Sequence, residues 1–282
     1  MRISKGWIPD YHGAWAMVTV PVIMGVILGG FVPAHLLLLA VWWIGYFDFY
    51  AAGLWLRSRR KARFFPPVRA YTIALAPFGI ALAIVAPYLL WWVPVFLPLV
   101  ATTAWASMNR KDRSLLNDVV TVGAAGLMLP VAYDLGTGGI GGILGIAGVR
   151  RALETGAADG TGANGVGDLA AWGAGWPWAW LVTLFVTAYF LGTIFYVKTN
   201  IRERNSKVWL AASAIYHLVF FATAVALHQL MGWAHVIVWA ALVARAIGVP
   251  VYGRAEGWVS AKVIGFGEVA FSILVMVTLL WL

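Results

Sequence analysis

Residues 192–205 read GTIFYVKTNIRERN and close an apolar segment that begins near residue 177. The segment has about twenty apolar residues, the length that an α-helix needs to cross the hydrocarbon core of a bilayer. It ends at Lys198, after which the chain turns basic around one carboxylate, Glu203. This stretch predicts a transmembrane helix with a cluster of cations at one end. The cluster has two explanations, anchoring at a membrane face or binding of an anionic group.

The composition of the whole chain also indicates an integral membrane protein. Of its 282 residues, 62% are hydrophobic and only 11% are charged, and the mean hydropathy is +0.84. So few charges cannot cover the surface of a water-soluble protein of this size. The net charge of +9 is therefore interpreted from the position of each cation, and no nucleic-acid partner is expected. The absence of cysteine excludes disulfide bonds and thiolate catalysis.

Nine apolar segments of membrane-spanning length follow one another along the chain. They cover about residues 14–33, 36–56, 70–88, 90–107, 117–134, 177–197, 208–228, 233–250 and 260–281. The sequence predicts an all-α, polytopic integral membrane protein with nine transmembrane helices in one domain, residues 1–282. One external connection, at about 136–176, is rich in glycine, and its segment 140–153, IGGILGIAGVRRAL, predicts a short interfacial helix.

The cations mark alternate connections between the predicted spans. All but two of the twenty Lys and Arg residues lie on one side of the predicted bundle, and the exceptions are Arg150 and Arg151 in the glycine-rich connection. Positively charged connections stay in the cytoplasm. We therefore expect a multi-pass protein of the cell membrane whose N-terminus is cytoplasmic and whose C-terminus is external.

Ionisable residues inside the spans are candidates for a functional site, because a charge in hydrocarbon is costly unless it is paired or faces a cavity. Except for His217, midway along its span, they lie at one depth, which predicts a polar chamber open to the cytoplasm. The predicted catalytic residues are Asp48, Glu268 and His12, a side chain that titrates near neutrality. The predicted substrate-binding residues are Asn117, Asp118, Lys198, Asn200, Arg202, Arg204, His217 and Arg245, the last being the natural partner of a carboxylate.

The order of spans and polar connections resembles the UbiA superfamily of intramembrane prenyltransferases. Residues 107–133, SMNRKDRSLLNDVVTVGAAGLMLPVAY, resemble the stretch in which a Lys/Arg pair closes helix four and a helix rich in small residues follows. GYFDFY at 45–50 resembles part of the first Asp-rich motif of that superfamily, with Asp48 at the matching carboxylate. The resemblance implies a UbiA-like helical bundle and an isoprenoid or other lipid substrate with an anionic head group.

The chain departs from the UbiA pattern at the positions that hold magnesium. Such relatives place an Asn and two Asp at four-residue spacing after helix two and further Asp after helix six, so that carboxylates stacked on one helical face hold Mg²⁺ against a diphosphate. Here Ile44 and Ala52 flank Asp48, and Glu203 is the one carboxylate in the connection between the sixth and seventh spans. The sequence therefore predicts a site without a metal or other cofactor, in which arginine binds the anionic group directly.

A second resemblance, over essentially the whole chain, is to the YwiC-like family of bacterial membrane proteins. It rests on HGAW at 12–15, IRER at 201–204 and PVYGR at 250–254. This resemblance gives a family and implies no particular reaction.

Three classes of function stay open. The first is a divergent UbiA-like lipid or prenyl transferase that lacks the usual Asp-rich motifs. The second is a transporter or lipid-binding accessory protein, in which the same chamber binds without reacting. The third is a haem- or quinone-binding protein of a respiratory chain, whose potential ligands are His12, His35, His217, His228 and His235. No matched pair of helical histidines is evident, which disfavours haem.

Overall fold

The computed structural model describes residues 6–9, 14–155 and 172–280, and over these ranges the chain is helical without strands. The α-helices are α1 Ala14–Gly29, α2 Ala34–Arg57, α3 Phe65–Val85, α4 Val93–Met108, α5 Leu115–Gly126, α6 Met128–Gly136, α7 Ile146–Thr155, α8 Gly175–Ile201, α9 Lys207–Ala226, α10 His228–Ala255 and α11 Ala261–Leu280. Short 3₁₀ helices at Ala62–Phe64, Pro87–Trp92 and Ile143–Gly145 precede α3, α4 and α7. The predicted all-α class is confirmed.

Eight helical segments in the described ranges are long and apolar enough to cross a membrane. They are Ala34–Arg57, Ala62–Val85, Pro87–Met108, Leu115–Gly136, Gly175–Ile201, Lys207–Ala226, His228–Ala255 and Ala261–Leu280. α1 is a further apolar helix at the place of the first predicted span, but its 16 residues extend only about 24 Å. The nine predicted spans thus correspond to eight full-length helices and one shorter helix, and the multi-pass architecture is confirmed.

Local chemistry sets several helix boundaries. The hydroxyl oxygens of Ser114 and Ser206 accept hydrogen bonds from the backbone N–H groups three residues later, at 3.2 and 3.3 Å, so each serine caps the helix that follows a basic connection. Gly232 has a φ of +69° and interrupts α10 near its start. This left-handed conformation suits glycine, and it places the straight part of α10 where the predicted eighth span begins.

Helix α8 lies at the centre of the bundle and is more buried than any other described span. It packs against α1, α5, α6, α7, α9, α10 and α11. α3, by contrast, packs mainly on α2 and exposes large apolar side chains, among them Ile84 at 75% exposure. Apolar side chains on the outside are what a helix presents to lipid, whose tails are as apolar as leucine.

Helices α1 and α6 pack backbone to backbone. Gly25 and Gly29 on α1 lie against α6, and Gly136 on α6 lies against α1. A Cβ atom added to Gly29 would lie 2.7 Å from the carbonyl oxygen of Tyr133, and one added to Gly136 would lie 2.5 Å from that of Gly29. Small residues four apart allow the close approach on which helix association in membranes depends. Hydropathy alone does not predict this contact.

The charged connections meet at one end of the bundle, which we call the basic end. Three contacts tie them together: Arg57 Nη1 to Asp112 Oδ2 at 3.6 Å, Lys198 Nζ to Asp118 Oδ2 at 2.6 Å, and Arg254 Nη2 to the carbonyl oxygen of Ser206 at 3.0 Å. The tertiary structure therefore gathers the cations that the sequence distributes over separate connections. The glycine-rich connection leaves from the opposite end, after α6.

The glycine-rich connection is described at residues 137–155 and 172–174. It contains α7, in agreement with the short helix predicted at 140–153. The indole ring of Trp176 lies against Gly141, Gly145 and Gly148, where any Cβ atom would collide with it. Residues 156–171 lie outside the described residues. That residues 1–282 form a single domain stays a prediction.

Candidate functional site

Arg245 on α10 and Glu268 on α11 form a buried ion pair through Nη1 and Oε1. Their side chains are only 8% and 11% exposed. The other carboxylate oxygen, Oε2, accepts hydrogen bonds from the hydroxyl groups of Thr193 at 2.6 Å and Tyr189 at 3.3 Å. A cation and two hydroxyl donors thus satisfy a carboxylate that would be costly to bury alone. The pairing expected for Arg245 is present in the structure.

The guanidinium group of Arg245 has a second edge that is unpaired. Its central carbon lies 4.2 Å from the ring centroid of Tyr196 and 4.6 Å from that of Phe271, which is within the range of cation–π attraction. Among the described residues, its Nε and Nη2 atoms are buried and have no hydrogen-bond partner. A planar guanidinium binds two oxygens of a phosphate or carboxylate through two such adjacent donors.

This Arg245 cluster, which comprises Arg245, Glu268, Thr193, Tyr189 and Tyr196, lies deep in the bundle. Arg245 and Glu268 are about two to three helical turns from the basic ends of α10 and α11, and Thr193 is about as far from that of α8, or about 10–15 Å along the helix axes. Half of the hydrocarbon core is about 15 Å thick. The ion pair therefore lies deep within the membrane-spanning helices, where an ionisable residue is a functional-site hypothesis by default.

One face of α8 supplies the hydroxyl groups of this cluster. Tyr189, Thr193, Tyr196 and Asn200 follow one another at spacings of four, three and four, which place them on the same face of a helix. Asn200 is buried, donates to the carbonyl oxygen of Tyr196 at 2.8 Å, and leaves its Oδ1 atom without a partner among the described residues. A search for residues charged at neutral pH misses the two tyrosines and Thr193, whereas the periodic spacing of hydroxyl groups could have revealed them.

His217 on α9 lies beside this face. It is fully buried, and its Nδ1 atom is 2.7 Å from the carbonyl oxygen of Ser213. Because a carbonyl only accepts, Nδ1 carries a proton, and in the neutral ring Nε2 is an acceptor. A Cβ atom added to Gly192 would lie 3.0 Å from Nε2. The glycine therefore lets the ring approach α8 next to Thr193.

A second ion pair lies nearer the basic end. Lys198 on α8 is 8% exposed, pairs with Asp118 on α5, and lies 5.4 Å from the ring centroid of Trp209. The neighbouring Asn117 donates to the carbonyl oxygen of Asp112 at 2.8 Å, and its Oδ1 atom is buried without a partner in the described part of the chain. The structure thus brings together Asn117, Asp118 and Lys198.

The two arginines after α8 differ in their contacts. Arg204 donates through Nε to the carbonyl oxygen of Asn200 at 2.9 Å and lies 5.5 Å from the ring centroid of Trp258, so it holds the connection between α8 and α9. Arg202 follows the last residue of α8, is exposed, and forms no side-chain hydrogen bond or ion pair with the described residues. A cation is favourable at a helix C-terminus, and this one is also able to reach a ligand.

Asp48 lies apart from the Arg245 cluster. It is half-buried on α2, where it accepts a hydrogen bond from the hydroxyl group of Thr72 on α3 at 3.0 Å. α2 packs mainly against α3, α4, α6 and α1, whereas the cluster is built by α8, α10 and α11. The described residues therefore do not join Asp48 and Glu268 in one chamber. His12 lies outside the described residues, and the catalytic roles of all three stay predictions.

The arrangement of histidines and carboxylates bears on the metal and haem hypotheses. Over the described ranges, no group of three or more His, Cys, Asp and Glu side chains is placed to hold a metal ion. The residues present therefore do not fit the Asp-rich magnesium cage of UbiA relatives. His35 contacts the carbonyl oxygen of Ala132 at 2.9 Å, and His235 bonds Thr278 and Trp239 at 2.9 Å each. Both rings are held by protein groups, which weighs against haem ligation.

Comparisons with known proteins agree with one of the two resemblances. Residues 8–133 match the family described as YwiC-like protein. The chain is 28% identical to the uncharacterised protein YwiC of Bacillus subtilis over 215 residues, which cover 76% of this chain and 75% of that protein. It is 24% identical to an uncharacterised protein of Haemophilus influenzae over 212 residues, or 75% and 74% of the two chains. No solved structure matches. These comparisons confirm the predicted resemblance of this membrane protein to the YwiC-like family.

Proposed function

We propose that this chain binds an isoprenoid or other membrane lipid with an anionic head group, in a divergent UbiA-like bundle of the cell membrane. The observation that carries the proposal is the Nε and Nη2 edge of Arg245, which is buried in the bundle and has no hydrogen-bond partner among the described residues. A buried donor without a partner is unfavourable, and a guanidinium edge is complementary to two oxygens of one phosphate or carboxylate. A ligand of that kind would complete the hydrogen bonds of Arg245.

The polar face of α8 supports a route from the basic end to Arg245. Asn200 and Tyr196 lie between the end of α8 and Thr193. Arg202 adds positive charge near the entrance, whereas the charges of Lys198 and Arg245 are already balanced by Asp118 and Glu268. The net charge of the ligand would therefore be compensated from the basic end, while the Arg245 edge fixes its orientation. An isoprenoid tail would lie along the apolar faces of neighbouring helices.

The first prediction is that Arg245→Lys weakens lipid-phosphate binding about tenfold or more, and that Arg202→Ala, which removes a charge at the entrance, weakens it by a smaller factor. Lysine keeps the charge that pairs with Glu268 but cannot form the two-pronged contact, and a charged hydrogen bond contributes about 1.5–3 kcal/mol. The measurement is binding of labelled farnesyl monophosphate and farnesyl diphosphate to the protein in nanodiscs, in EDTA and in excess Mg²⁺. Because the described residues offer no carboxylate cage, we expect similar affinities in both buffers.

Arg113→Ala is the matched control for this experiment. Arg113 is an exposed cation of another basic connection and forms no side-chain hydrogen bond or ion pair with the described residues, so its removal tests for general electrostatic attraction. A strong dependence on Mg²⁺ would mean that Asp48, Glu203 or Glu268 still contributes to a metal site. If neither Arg245→Lys nor Arg202→Ala changes the affinity, the cations serve membrane orientation only and the proposal is wrong.

The transferase hypothesis and the non-enzymatic hypothesis share this binding step. They differ in what happens to the lipid after it has bound. A transferase would release diphosphate from farnesyl diphosphate when a lipid or aromatic acceptor is supplied, and the release would depend on Arg245. A transporter or lipid-binding accessory protein would leave the probe chemically unchanged. Incubation of the nanodisc complex with membrane extract, followed by mass spectrometry of the probe, separates the two.

We further propose that the basic end faces the cytoplasm, with the N-terminus on that side and the C-terminus outside. The support is that the basic connections of the described residues meet at that end, together with the positive-inside rule. Because the chain has no cysteine, single-cysteine variants report their own position. In intact cells, Lys61→Cys and Asn205→Cys should resist an impermeant thiol reagent, whereas Ile140→Cys at the opposite end should be labelled. The reverse pattern would invert the orientation.

A further inference from the structure

Asp134 on α6 is a second buried carboxyl group, and neither the sequence patterns nor the proposed function accounts for it. It lies at the end of the bundle opposite the basic end, two residues before the last residue of α6. The residue is only 2% exposed. Its Oδ2 atom accepts a hydrogen bond from the indole N–H of Trp92 at 2.9 Å. Its Oδ1 atom is buried and has no hydrogen-bond partner among the described residues.

The surroundings of Asp134 offer no balancing cation within the described residues. Asp134 takes part in none of the ion pairs of the structure. The elements packed on α6 are α1, α2, α5, α8 and the 3₁₀ helices before α4 and α7. Among their ionisable side chains, His35 bonds the carbonyl oxygen of Ala132, and Tyr88 bonds that of Leu135 at 3.5 Å. The other ionisable groups on these elements and on α6 are Tyr133, which is beside Asp134 in sequence, and groups farther towards the basic end. The latter are Tyr46, Asp48, Tyr50 and Arg57 on α2, Tyr189 and Tyr196 on α8, and the Lys198–Asp118 pair.

We propose that Asp134 is a proton-binding site, whose carboxyl group holds a proton on Oδ1 in the folded protein at neutral pH. Removing a bare carboxylate from water is far more unfavourable than a single hydrogen bond from a neutral indole can offset. A proton makes the group neutral and leaves Oδ2 free to accept from Trp92. Glu268 differs because Arg245 and two hydroxyl groups stabilise its charged form. The two buried carboxyl groups thus differ in charge, Asp134 being neutral and Glu268 negative, because their neighbours differ.

An open cleft lies close to this proton site. The hydroxyl group of Thr137 donates to the backbone carbonyl of Asp134 at 3.2 Å. Thr137 and Tyr133 line an open cleft of about 270 Å³, which Gly148 and Arg151 of α7 border on the other side. The cleft therefore reaches to within one helical turn of Asp134. Exchange of its proton would take place at the end of the bundle opposite the proposed lipid entrance.

The test is infrared spectroscopy of the full-length protein in lipid, compared with Asp134→Asn and Asp112→Asn. Asparagine keeps an acceptor for Trp92 and has nearly the same shape, while Asp112 is a partly exposed carboxylate paired with Arg57. We expect the carbonyl band of a neutral carboxylic acid at neutral pH, lost in Asp134→Asn and retained in Asp112→Asn. Absence of the band in the unchanged chain with ¹³C-labelled aspartate would overturn the proposal, even if the asparagine variant failed to fold.

The dependence of folding stability on pH is a second test of the protonation state of Asp134, independent of the infrared measurement. In the unfolded chain Asp134 is in water and loses its proton above about pH 4. Folding then takes up one proton, so the folding equilibrium constant should fall by up to tenfold per pH unit above that value, relative to Asp134→Asn. If Asp134 bound Na⁺ or K⁺ in place of a proton, the result would differ. At fixed pH, the stability of the unchanged chain would then rise with the concentration of that ion, whereas the stability of Asp134→Asn would not. That outcome would overturn the proton assignment.

Discussion

Replacing Glu268 by glutamine is expected to destabilise the folded protein by about 3–5 kcal/mol, because it leaves the buried guanidinium of Arg245 without a counter-ion. Glutamine preserves the shape of the side chain and accepts from Thr193, so the loss would come from the charge. Both partners are nearly inaccessible, and the pair lies inside the membrane-spanning helices. Thermal or denaturant unfolding in detergent, followed by size-exclusion chromatography, measures the effect.

Two further variants separate the buried pair from an ordinary ion pair. Asp112→Asn breaks the ion pair with Arg57. The side chain of Arg57 is 34% exposed and that of Asp112 is 19% exposed, so the loss of this pair should change stability by less than about 1 kcal/mol. Arg245→Met combined with Glu268→Met removes both charges and should recover most of the stability lost in the single variant. The double variant should still fail to bind the lipid phosphate. A single Glu268→Gln variant as stable as the unchanged protein would contradict the burial of this pair.

Substituting alanine for both Gly25 and Gly29 is expected to destabilise the bundle by about 3 kcal/mol or more, the upper range for overpacking. The added Cβ atoms would meet backbone rather than movable side chains. At Gly25 the atom would collide with the carbonyl oxygen of Leu129, and at Gly29 it would lie 2.9 Å from the Cα atom of Tyr133. α1 and α6 would have to separate, which should appear as a lower melting temperature and poorer recovery after extraction in detergent.

Gly123→Ala is the matched control for the glycine contact. Gly123 lies on α5, and a Cβ atom there would meet nothing within 4 Å. Alanine restricts the unfolded chain and fits a helix better than glycine, so we expect no loss and a gain of up to about 1 kcal/mol. Equal behaviour of this control and the Gly25 and Gly29 double variant would show that α1 does not pack closely on α6.

The sequence predicts the helices well because their cause is local. A run of apolar residues of sufficient length crosses a bilayer whatever its neighbours are, and all nine predicted spans correspond to helices of the structure. The boundaries near Ser206 and Gly232 are also visible in the sequence, since a capping hydroxyl and a left-handed glycine act within a few residues. The predicted length of the first span differs from the structure, because α1 ends at Gly29 and the sequence predicts a span that continues to residue 33.

The site was predictable only in part. Ionisable residues inside apolar segments are conspicuous, and Arg245 with Glu268 was accessible to that reasoning. Asp134 also carries a charge-bearing group, but it lies at the very end of a predicted span and was not distinguished from an interfacial residue. Tyr189 and Thr193 carry no charge, so only their spacing along α8 could have indicated that they share a face.

The sequence by itself determined the membrane environment, the all-helical class and the concentration of cations in alternate connections, because these follow from hydropathy and charge along the chain. Only the tertiary structure decided that Glu268 pairs with Arg245, that Asp48 lies with Thr72 instead, and that Asp134 has no cation beside it among the described residues. The physical reason is that the charge state of a buried group depends on neighbours from other helices. Those neighbours are set by packing, including the approach of α1 to α6 at Gly25 and Gly29, and packing depends on the shapes of both helices.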